Sequence, residues 1–156
     1  MYTITKQDIK EAREQCKSAM TVKGQIVGYC IAHGGKDIEN RNRKIKNGWY
    51  ALHVGGSKKT DYPILSTMLE SFDSSKMPPT SSIIGVFKIE GQSIDSRWFM
   101  GPSGNKITKY IHFDEPITGL PGHQSVTYCL ETMDRKLIKK HGSIDKTVRE
   151  QVMERL

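Results

Sequence analysis

The chain has 156 residues, of which 36% are hydrophobic and 26% are charged, and this balance excludes a disordered polar chain and predicts one folded domain over residues 1–156. No apolar run approaches the ~20 residues of a membrane-spanning helix, so we expect no membrane partner. The 24 Lys and Arg residues outnumber the 17 Asp and Glu residues and give a net charge of +7, which favours a polyanionic partner such as nucleic acid.

The first predicted elements are two helices. Thr5 is a suitable N-cap for a helix over residues 6–19, which carries apolar residues at helical spacing. A second helix is predicted over residues 25–33. The adjacent Gly34 and Gly35 end it, because glycine adopts the left-handed cap conformation without steric cost.

The central motif follows these glycines and has the form Gly-x-Lys-x-x-Glu-x-Arg over residues 34–41. Its alternation predicts a strand that places four charged side chains on one face: Asp37, Glu39, Arg41 and Arg43. A small domain cannot readily bury four charges. We therefore expect this face to line a solvated cleft rather than a buried ion network.

A hairpin is predicted next, with a basic turn over 43–46, a tight Asn47–Gly48 turn and a strand over 49–54. Trp49 and His53 share one face of that strand. In one register they lie beside the central motif, but the sequence does not fix the register. The following loop, 55–59, contains Ser57 and Lys58; it predicts either a phosphate-binding backbone or a flexible connector.

The second half of the chain alternates strands with turns before it ends in helices. Residues 83–89 are apolar on both faces and predict a central strand. A long connection over 93–105 carries Trp98, which we predict to be an exposed stacking platform. The remaining predictions are a helix over 62–72, strands over 109–115 (ended by Pro116) and 126–131, and helices over 134–140 and 144–156, the last capped by Ser143.

The three cysteines, Cys16, Cys30 and Cys129, are too few and too scattered for a disulfide framework or a zinc site. We predict that all three are small buried residues. His112 and His123 have no metal-ligand spacing, so we predict no metal site and no cofactor. Residues 1–10 contain no apolar signal core, which favours an intracellular, cytoplasmic location, or a nuclear one in a eukaryotic or viral setting.

The order of these motifs resembles the activating signal cointegrator homology (ASCH) domain of the PUA-like superfamily. The resemblance rests on Gln25, the central motif with Lys36, Glu39 and Arg41, the strand over 49–55, the Ile-Ile-Gly-Val-Phe strand over 83–87, and the Pro…Gly…aromatic ending that reaches Tyr128. It covers a core of about residues 25–131, leaving helical extensions over 1–24 and 132–156. It implies an α+β fold: a PUA-like, partly open mixed β-barrel of five or six strands with covering helices.

The resemblance also implies a cleft beside the Lys36–Arg41 strand that binds RNA or a modified base. Some ASCH members are hydrolases. One bacterial group removes acyl groups from acylated cytidine with a Lys, a Thr and a Glu; Lys36 matches that Lys, but Glu39 occupies the position of the Thr. Other members are ribonucleases with a cleft Lys, Tyr and Ser.

Two function classes remain open, with a protein-interaction domain as a third. The first is a binding module in which Lys36 holds phosphate and Glu39 contacts a base edge. The second is a hydrolase, a ribonuclease or an amidohydrolase, that uses Lys36 and Glu39 as catalytic residues. The bland alternative is an ion pair that closes the barrel. The predicted nucleic-acid-binding residues are Lys36, Glu39, Arg41, Arg43, His53, Ser57, Lys58 and Trp98.

Overall fold

A computed structural model describes residues 2–56, 65 and 67–156. The described residues form one sheet in the order β2-β5-β4-β3-β1-β6, in which β1 and β3 are parallel and the other neighbours are antiparallel. The strands are β1 Ser18–Val22, β2 Ile38–Arg41, β3 Gly48–Val54, β4 Ser82–Gln92, β5 Ser103–Ile117 and β6 Tyr128–Cys129. The α+β class and the mixed sheet of the sequence prediction are confirmed.

Helices cover this sheet. They are α1 Lys6–Gln15, α2 Gln25–His33, α3 Leu130–His141 and α4 Val148–Arg155, with a 3-10 turn at Ser74–Lys76. Among the described residues, no helix has both the length and the apolar character that a membrane crossing requires. The helix predicted over 62–72 lies partly outside the described residues, of which Leu65, Thr67 and Met68 are helical.

The first helix is shorter than predicted. Its N-terminus is the expected one, since the Thr5 side chain accepts from the Asp8 amide and the Asp8 side chain accepts from the Thr5 amide. The helix ends at Gln15, however, and residues 18–22 form β1 instead of a last helical turn and a linker. Pairing with β3 and burial of alternate residues on the two sheet faces outweigh the weak helical spacing of the sequence.

Both faces of the sheet are buried. On one face, side chains of β1, β3 and β4 pack with α1, α3 and α4; on the other, alternate side chains of the same strands pack with α2. Strand β4 is central and apolar on both faces, as predicted. Its Gly85 is required by close approach, because a Cβ there would lie 2.3 Å from the carbonyl oxygen of Ile111 on β5.

The predicted hairpin between the central motif and residues 49–54 is wrong. Strand β2 pairs with β5, and β3 lies two strands farther into the sheet. The connection is held to β5 by Asn105, whose side chain accepts from the Ile45 amide at 2.7 Å and donates to the Arg43 carbonyl at 3.3 Å. Trp49 therefore does not stand beside Glu39; it is buried under α1 with its ring nitrogen 3.5 Å from Glu11 Oε1.

The C-terminal elements also differ from the prediction in their bounds. The strand predicted over 126–131 is only the two residues of β6, and α3 begins at once with Leu130. Gly142 ends α3 as expected, but α4 begins at Val148 and its cap is Thr147 rather than Ser143. Strand β5 continues through Pro116, because the β4–β5 ladder is irregular there and requires no donor from it.

The cysteine prediction holds for two of the three residues. Cys16 and Cys30 are buried, whereas Cys129 is exposed. Cys129 lies on β6, where its neighbour Tyr128 turns inward against the core, so the alternation of the strand turns Cys129 outward.

The sheet curls into a half-barrel that is open between β2 and β1. Three strands separate β2 from β1 in the sheet order, yet Arg41 Nη2 on β2 donates to the Thr21 carbonyl on β1 at 2.8 Å. We call this gap the seam. At the seam β2 approaches β1, and this approach positions the candidate site.

Candidate nucleotide-binding site at the seam

The turn after α2 places Lys36 at the seam. The amides of Gly34 and Lys36 both donate to the Cys30 carbonyl, at 2.9 and 3.0 Å. Gly35 between them has a φ of +73°, a left-handed conformation that favours glycine. The helix stop predicted at the glycine pair is therefore confirmed, and it turns Lys36 back toward the first residues of β2.

Three charged residues of the motif form a chain of ion pairs. Lys36 Nζ donates to the Ile38 carbonyl and lies 3.7 Å from Glu39 Oε2. Arg41 Nε donates to Glu39 Oε1 at 2.9 Å. Lys36 and Glu39 are only 4% and 6% exposed, so the expectation of a fully solvated charged face is wrong for this pair. The sheet curls around them, whereas Arg43 lies beyond β2 and is exposed.

One oxygen of this group has no hydrogen-bond partner. Within the described residues, Glu39 Oε2 is the only buried side-chain nitrogen or oxygen atom in that state. Its distance to Lys36 Nζ is that of an ion pair and exceeds a hydrogen bond. A buried carboxylate oxygen without a donor is costly, and such an exception requires an explanation such as a ligand.

Glu39 is one of the residues that line a cavity of about 430 Å³, which is within the ~300–1,000 Å³ range of small-molecule sites. Its charged lining comprises Lys23, Lys36, Glu39 and Arg41. Its apolar lining comprises Val27, Leu65, Met100 and Val126, and its side-chain amides are Asn40, Asn42 and Gln124. We call it the Glu39 cavity. Apolar walls around a few polar groups are suited to a flat heterocycle with polar edges.

A second cavity of about 760 Å³ lies on the other side of Lys23 and Gln124, which line both. Thr21, His53, Gly122 and Lys136 also line it, and we call it the His53 cavity. The sequence prediction placed His53 in the same cleft as the central motif. His53 lines the adjoining cavity instead. Thr21 connects it to Arg41 of the central motif, because the Thr21 carbonyl accepts from Arg41 and the Thr21 hydroxyl contacts His53.

Trp98 is not the exposed stacking platform that we predicted. It is 2% exposed and packs against Ile26, Cys30, Ile38 and Leu65. The guanidinium of Arg97 covers its ring at 4.8 Å. The long connection folds back onto β2, since Asn40 donates to the Trp98 carbonyl at 3.0 Å, and this buries the ring.

The other residues predicted to bind nucleic acid do not all lie in one cavity. Lys36, Glu39 and Arg41 lie together in the Glu39 cavity, whereas Arg43 does not line it. Ser57 and Lys58 lie outside the described residues. In the part of the chain that the structure describes, no group of three or more His, Cys, Asp or Glu side chains is arranged to hold a metal ion.

Sequence reasoning missed Thr21, Lys23, Met100 and Gln124. Thr21 and Lys23 lie in and just after a strand that was predicted as helix and linker, and no local pattern marks Gln124. Met100 is 45% exposed at the Glu39 cavity and follows Trp98 by two residues. An apolar residue in a polar loop was a signal for it, but the aromatic neighbour was the stronger candidate.

No protein-family model matches the chain, and a search of curated proteins finds no similar sequence.

Proposed function

We propose that the chain is an ASCH-like domain of the PUA-like superfamily that binds RNA or a nucleotide and accommodates one base in the Glu39 cavity. The observation that carries the proposal is the buried Glu39 Oε2, which accepts no hydrogen bond, on a residue that lines a cavity with apolar walls. An N–H group on a base edge would satisfy this oxygen. Arg41 is positioned at the mouth for a phosphate, since its guanidinium has donors beyond those bound to Glu39 and Thr21.

The walls of the cavity support a base rather than a sugar or a free phosphate. A base has apolar faces, which Val27, Met100 and Val126 can contact, and a polar edge for Glu39 and Lys36. Lys36 has three N–H donors and gives one to the Ile38 carbonyl. A donor and an acceptor side by side on one base edge would therefore match the Glu39–Lys36 pair.

Glu39→Gln is the sharpest test of this proposal. Arg41 Nε requires an acceptor, so the amide oxygen of the new side chain takes the place of Oε1 and the NH₂ group takes that of Oε2. The cavity then presents a donor where the base requires an acceptor. Loss of a charged hydrogen bond costs ~1.5–3 kcal/mol, so binding of a single-stranded RNA of about ten nucleotides should weaken by roughly 10-fold to 100-fold.

Fluorescence anisotropy at a temperature where both proteins are folded measures this change. Glu115→Gln is the matched control, because it makes the same chemical change at an exposed site outside the cavity. We expect it to bind like the wild type. Equal affinities for wild type and Glu39→Gln, or no RNA or nucleotide binding by the wild type, would contradict the proposal.

A hydrolase acting on RNA or a modified nucleoside through Lys36 and Glu39 is the alternative, favoured by the same free oxygen, which could accept a proton from water. The two functions differ in what Glu39→Gln removes. In a hydrolase the substitution abolishes turnover of labelled RNA or acylated nucleosides and leaves substrate affinity nearly intact. In a binding module it removes affinity, and the wild type forms no product.

A further inference from the structure

Thr21 and His53 form a hydrogen-bonded pair in the wall of the His53 cavity. Thr21 Oγ1 lies 3.1 Å from His53 Nδ1, and His53 Nε2 lies 2.8 Å from the Leu120 carbonyl oxygen. A carbonyl oxygen only accepts, so Nε2 carries the proton of the neutral ring and Nδ1 is an acceptor. The Thr21 hydroxyl therefore donates to His53. The Tyr128 hydroxyl, 2.7 Å away, donates to Thr21 Oγ1 in turn.

We propose that Thr21 and His53 are the nucleophile and the general base of a site that hydrolyses carboxylic esters carrying a negative charge. An activated hydroxyl requires a base within hydrogen-bond distance and a third group that orients the base. His53 and the Leu120 carbonyl supply these two parts. The site lies in a different cavity from Glu39, so it stands independently of RNA or nucleotide binding.

Two glycines stand beside Thr21 in the wall of the cavity. Thr21 is half-buried and lines the cavity, with Gly55 and Gly122 beside it. A Cβ on Gly122 would lie 3.2 Å from Thr21 Oγ1 and 3.1 Å from His53 Cε1. A Cβ on Gly55 would lie 3.0 Å from Thr21 Cγ2. A side chain at either position would therefore crowd Thr21.

The charges around the cavity select an anionic substrate. Lys136 Nζ donates to the Gly122 carbonyl at 2.7 Å and lies 3.0 Å from His123 Nδ1. Lys23 is exposed at the rim that the two cavities share. Of the described residues that line this cavity, none is acidic. A carboxylate or phosphate on the substrate is therefore attracted, and the same positive field stabilises negative charge on the reacting carbonyl oxygen.

His53 has the protonation state that a base requires. It is 1% exposed, and this burial lowers its pKa below the ordinary value of 6.5; the hydrogen bond to Leu120 opposes the shift and the charge of Lys136 adds to it. The ring also faces Thr21 on β1, whose hydroxyl is hydrogen-bonded to the Tyr128 hydroxyl on β6. His123, beside Lys136, lines the same cavity. His53 is thus neutral near pH 7 and able to accept a proton.

The reaction balances in two halves. Thr21 Oγ bonds to the ester carbonyl carbon while its proton passes to His53 Nδ1, and the carbonyl π pair moves onto oxygen. When that pair returns, the C–O bond to the leaving alcohol breaks, and the alcohol takes the proton from His53. Water then adds to the Thr21 ester in the same way, releasing a carboxylic acid and restoring the hydroxyl.

The test uses p-nitrophenyl hydrogen succinate as an anionic ester and p-nitrophenyl acetate as a neutral one. We expect release of nitrophenolate, a protein mass increased by one succinyl group, and peptide mapping of that group to Thr21. The anionic ester should react at least about tenfold faster in kcat/KM because of Lys23 and Lys136. The rate should be flat above about pH 6.5 and fall below it as His53 is protonated.

Variants separate a catalytic hydroxyl from a structural one. Thr21→Val keeps the side-chain shape and should lower the rate at least ~100-fold, whereas Thr21→Ser should retain turnover. Gly122→Ala places a methyl group over the hydroxyl and should slow the reaction. Thr118→Val makes the same change as Thr21→Val at an exposed position that does not line the cavity, so it should react like the wild type.

Several outcomes overturn the proposal. Acylation of lysines without Thr21, absence of both turnover and adduct, or a rate that rises steadily with pH would each do so. If Thr21→Val does not fold, equal rates for Gly122→Ala and the wild type are still decisive against it. RNA binding by Thr21→Ser and ester turnover by Glu39→Gln are measured in parallel, so failure here is distinguished from failure of the proposed function.

Discussion

At the scale of single residues, burial determines what the central motif contributes. Lys36 and Glu39 are buried and paired, while Arg41 connects them to the partly solvated mouth of the cavity. A buried ion pair contributes little net stability, but removal of one partner leaves an uncompensated charge that costs ~3–5 kcal/mol. The motif is therefore part of the fold as well as of the candidate site.

Glu39→Ala should accordingly lower the melting temperature of the free protein, because it leaves Lys36 buried without a counter-charge; Lys36→Ala should lower it less, because Glu39 keeps its ion pair with Arg41. For Glu39→Ala the expected loss corresponds to a fall of roughly 10 °C for a domain of this size. Arg43→Ala removes a charge from the same segment at an exposed position and should change the melting temperature by roughly 2 °C or less. Thermal melts followed by circular dichroism measure all three; equal melts for the three variants would show that the pair is effectively solvated.

At the scale of elements, the sequence predicted those parts of the fold that local chemistry determines. Helix α2 begins and ends where its apolar spacing and its glycines place it, and β4 is central because it is apolar on both faces. The partner of β2 was not predictable in this way. A basic turn with Asn47 and Gly48 is typical of a hairpin. The competing interactions are the distant β2–β5 pairing and the buried side chain of Asn105, which is 60 residues from Ile45 in the chain.

Strand β1 shows a second limit of local reasoning. Its five residues are too few to outweigh the helical spacing that precedes them, and only pairing with β3 makes them a strand. Because Thr21 lies on this strand, predicting it as helix and linker left the β1 side of the seam out of the predicted site. The candidate site was therefore predicted on its β2 side, at Lys36, Glu39 and Arg41, and missed on its β1 side.

Asn105 provides a test of how the β2–β3 connection is held to β5. It is fully buried, accepts from the Ile45 amide, and donates to the Glu39 carbonyl at 3.2 Å and to the Arg43 carbonyl. Asn105→Ala strands these groups without partners, each at ~1–3 kcal/mol, so we expect a loss of roughly 3 kcal/mol or more. Hydrogen exchange of the Ile45 amide should become faster.

Asn47→Ala is the matched control for this prediction. Its side chain also accepts from a backbone amide, that of Gly91 at 2.9 Å, but the bond is exposed and water can replace it. The expected cost is about 1 kcal/mol or less. Urea unfolding of both variants gives the two free energies. Similar losses would mean that Asn105 does not hold the connection to β5.

At the scale of the whole molecule, the site exists because the curled sheet brings β2 close to β1. The residues on its two sides belong to β2 and β1, which meet only because the sheet curls and Arg41 spans the gap to Thr21. The positive groups at this gap come from separate elements: Lys23 after β1, Arg41 on β2 and Lys136 on α3. Part of the positive charge that gives the net charge of +7 therefore lies around two adjoining cavities, and an anionic chain could contact both cavities.

This arrangement predicts how RNA binding depends on salt. If the chain binds single-stranded RNA along the seam, the logarithm of the affinity should fall linearly with the logarithm of the salt concentration, with a slope equivalent to roughly 3–5 phosphate contacts. Lys23 lies at the rim common to both cavities, so Lys23→Ala should weaken binding to all sequences alike. It should also reduce the slope by about one phosphate contact.

Lys10→Ala is the control, because this lysine is exposed on α1, away from both cavities. It makes the same change in net charge as Lys23→Ala. If binding followed only the overall charge of the molecule, the two variants would lose the same affinity and the same slope. A titration of both variants and the wild type over a range of salt concentrations separates these cases: a slope reduced only in Lys23→Ala places the RNA backbone at the seam, and identical slopes exclude it.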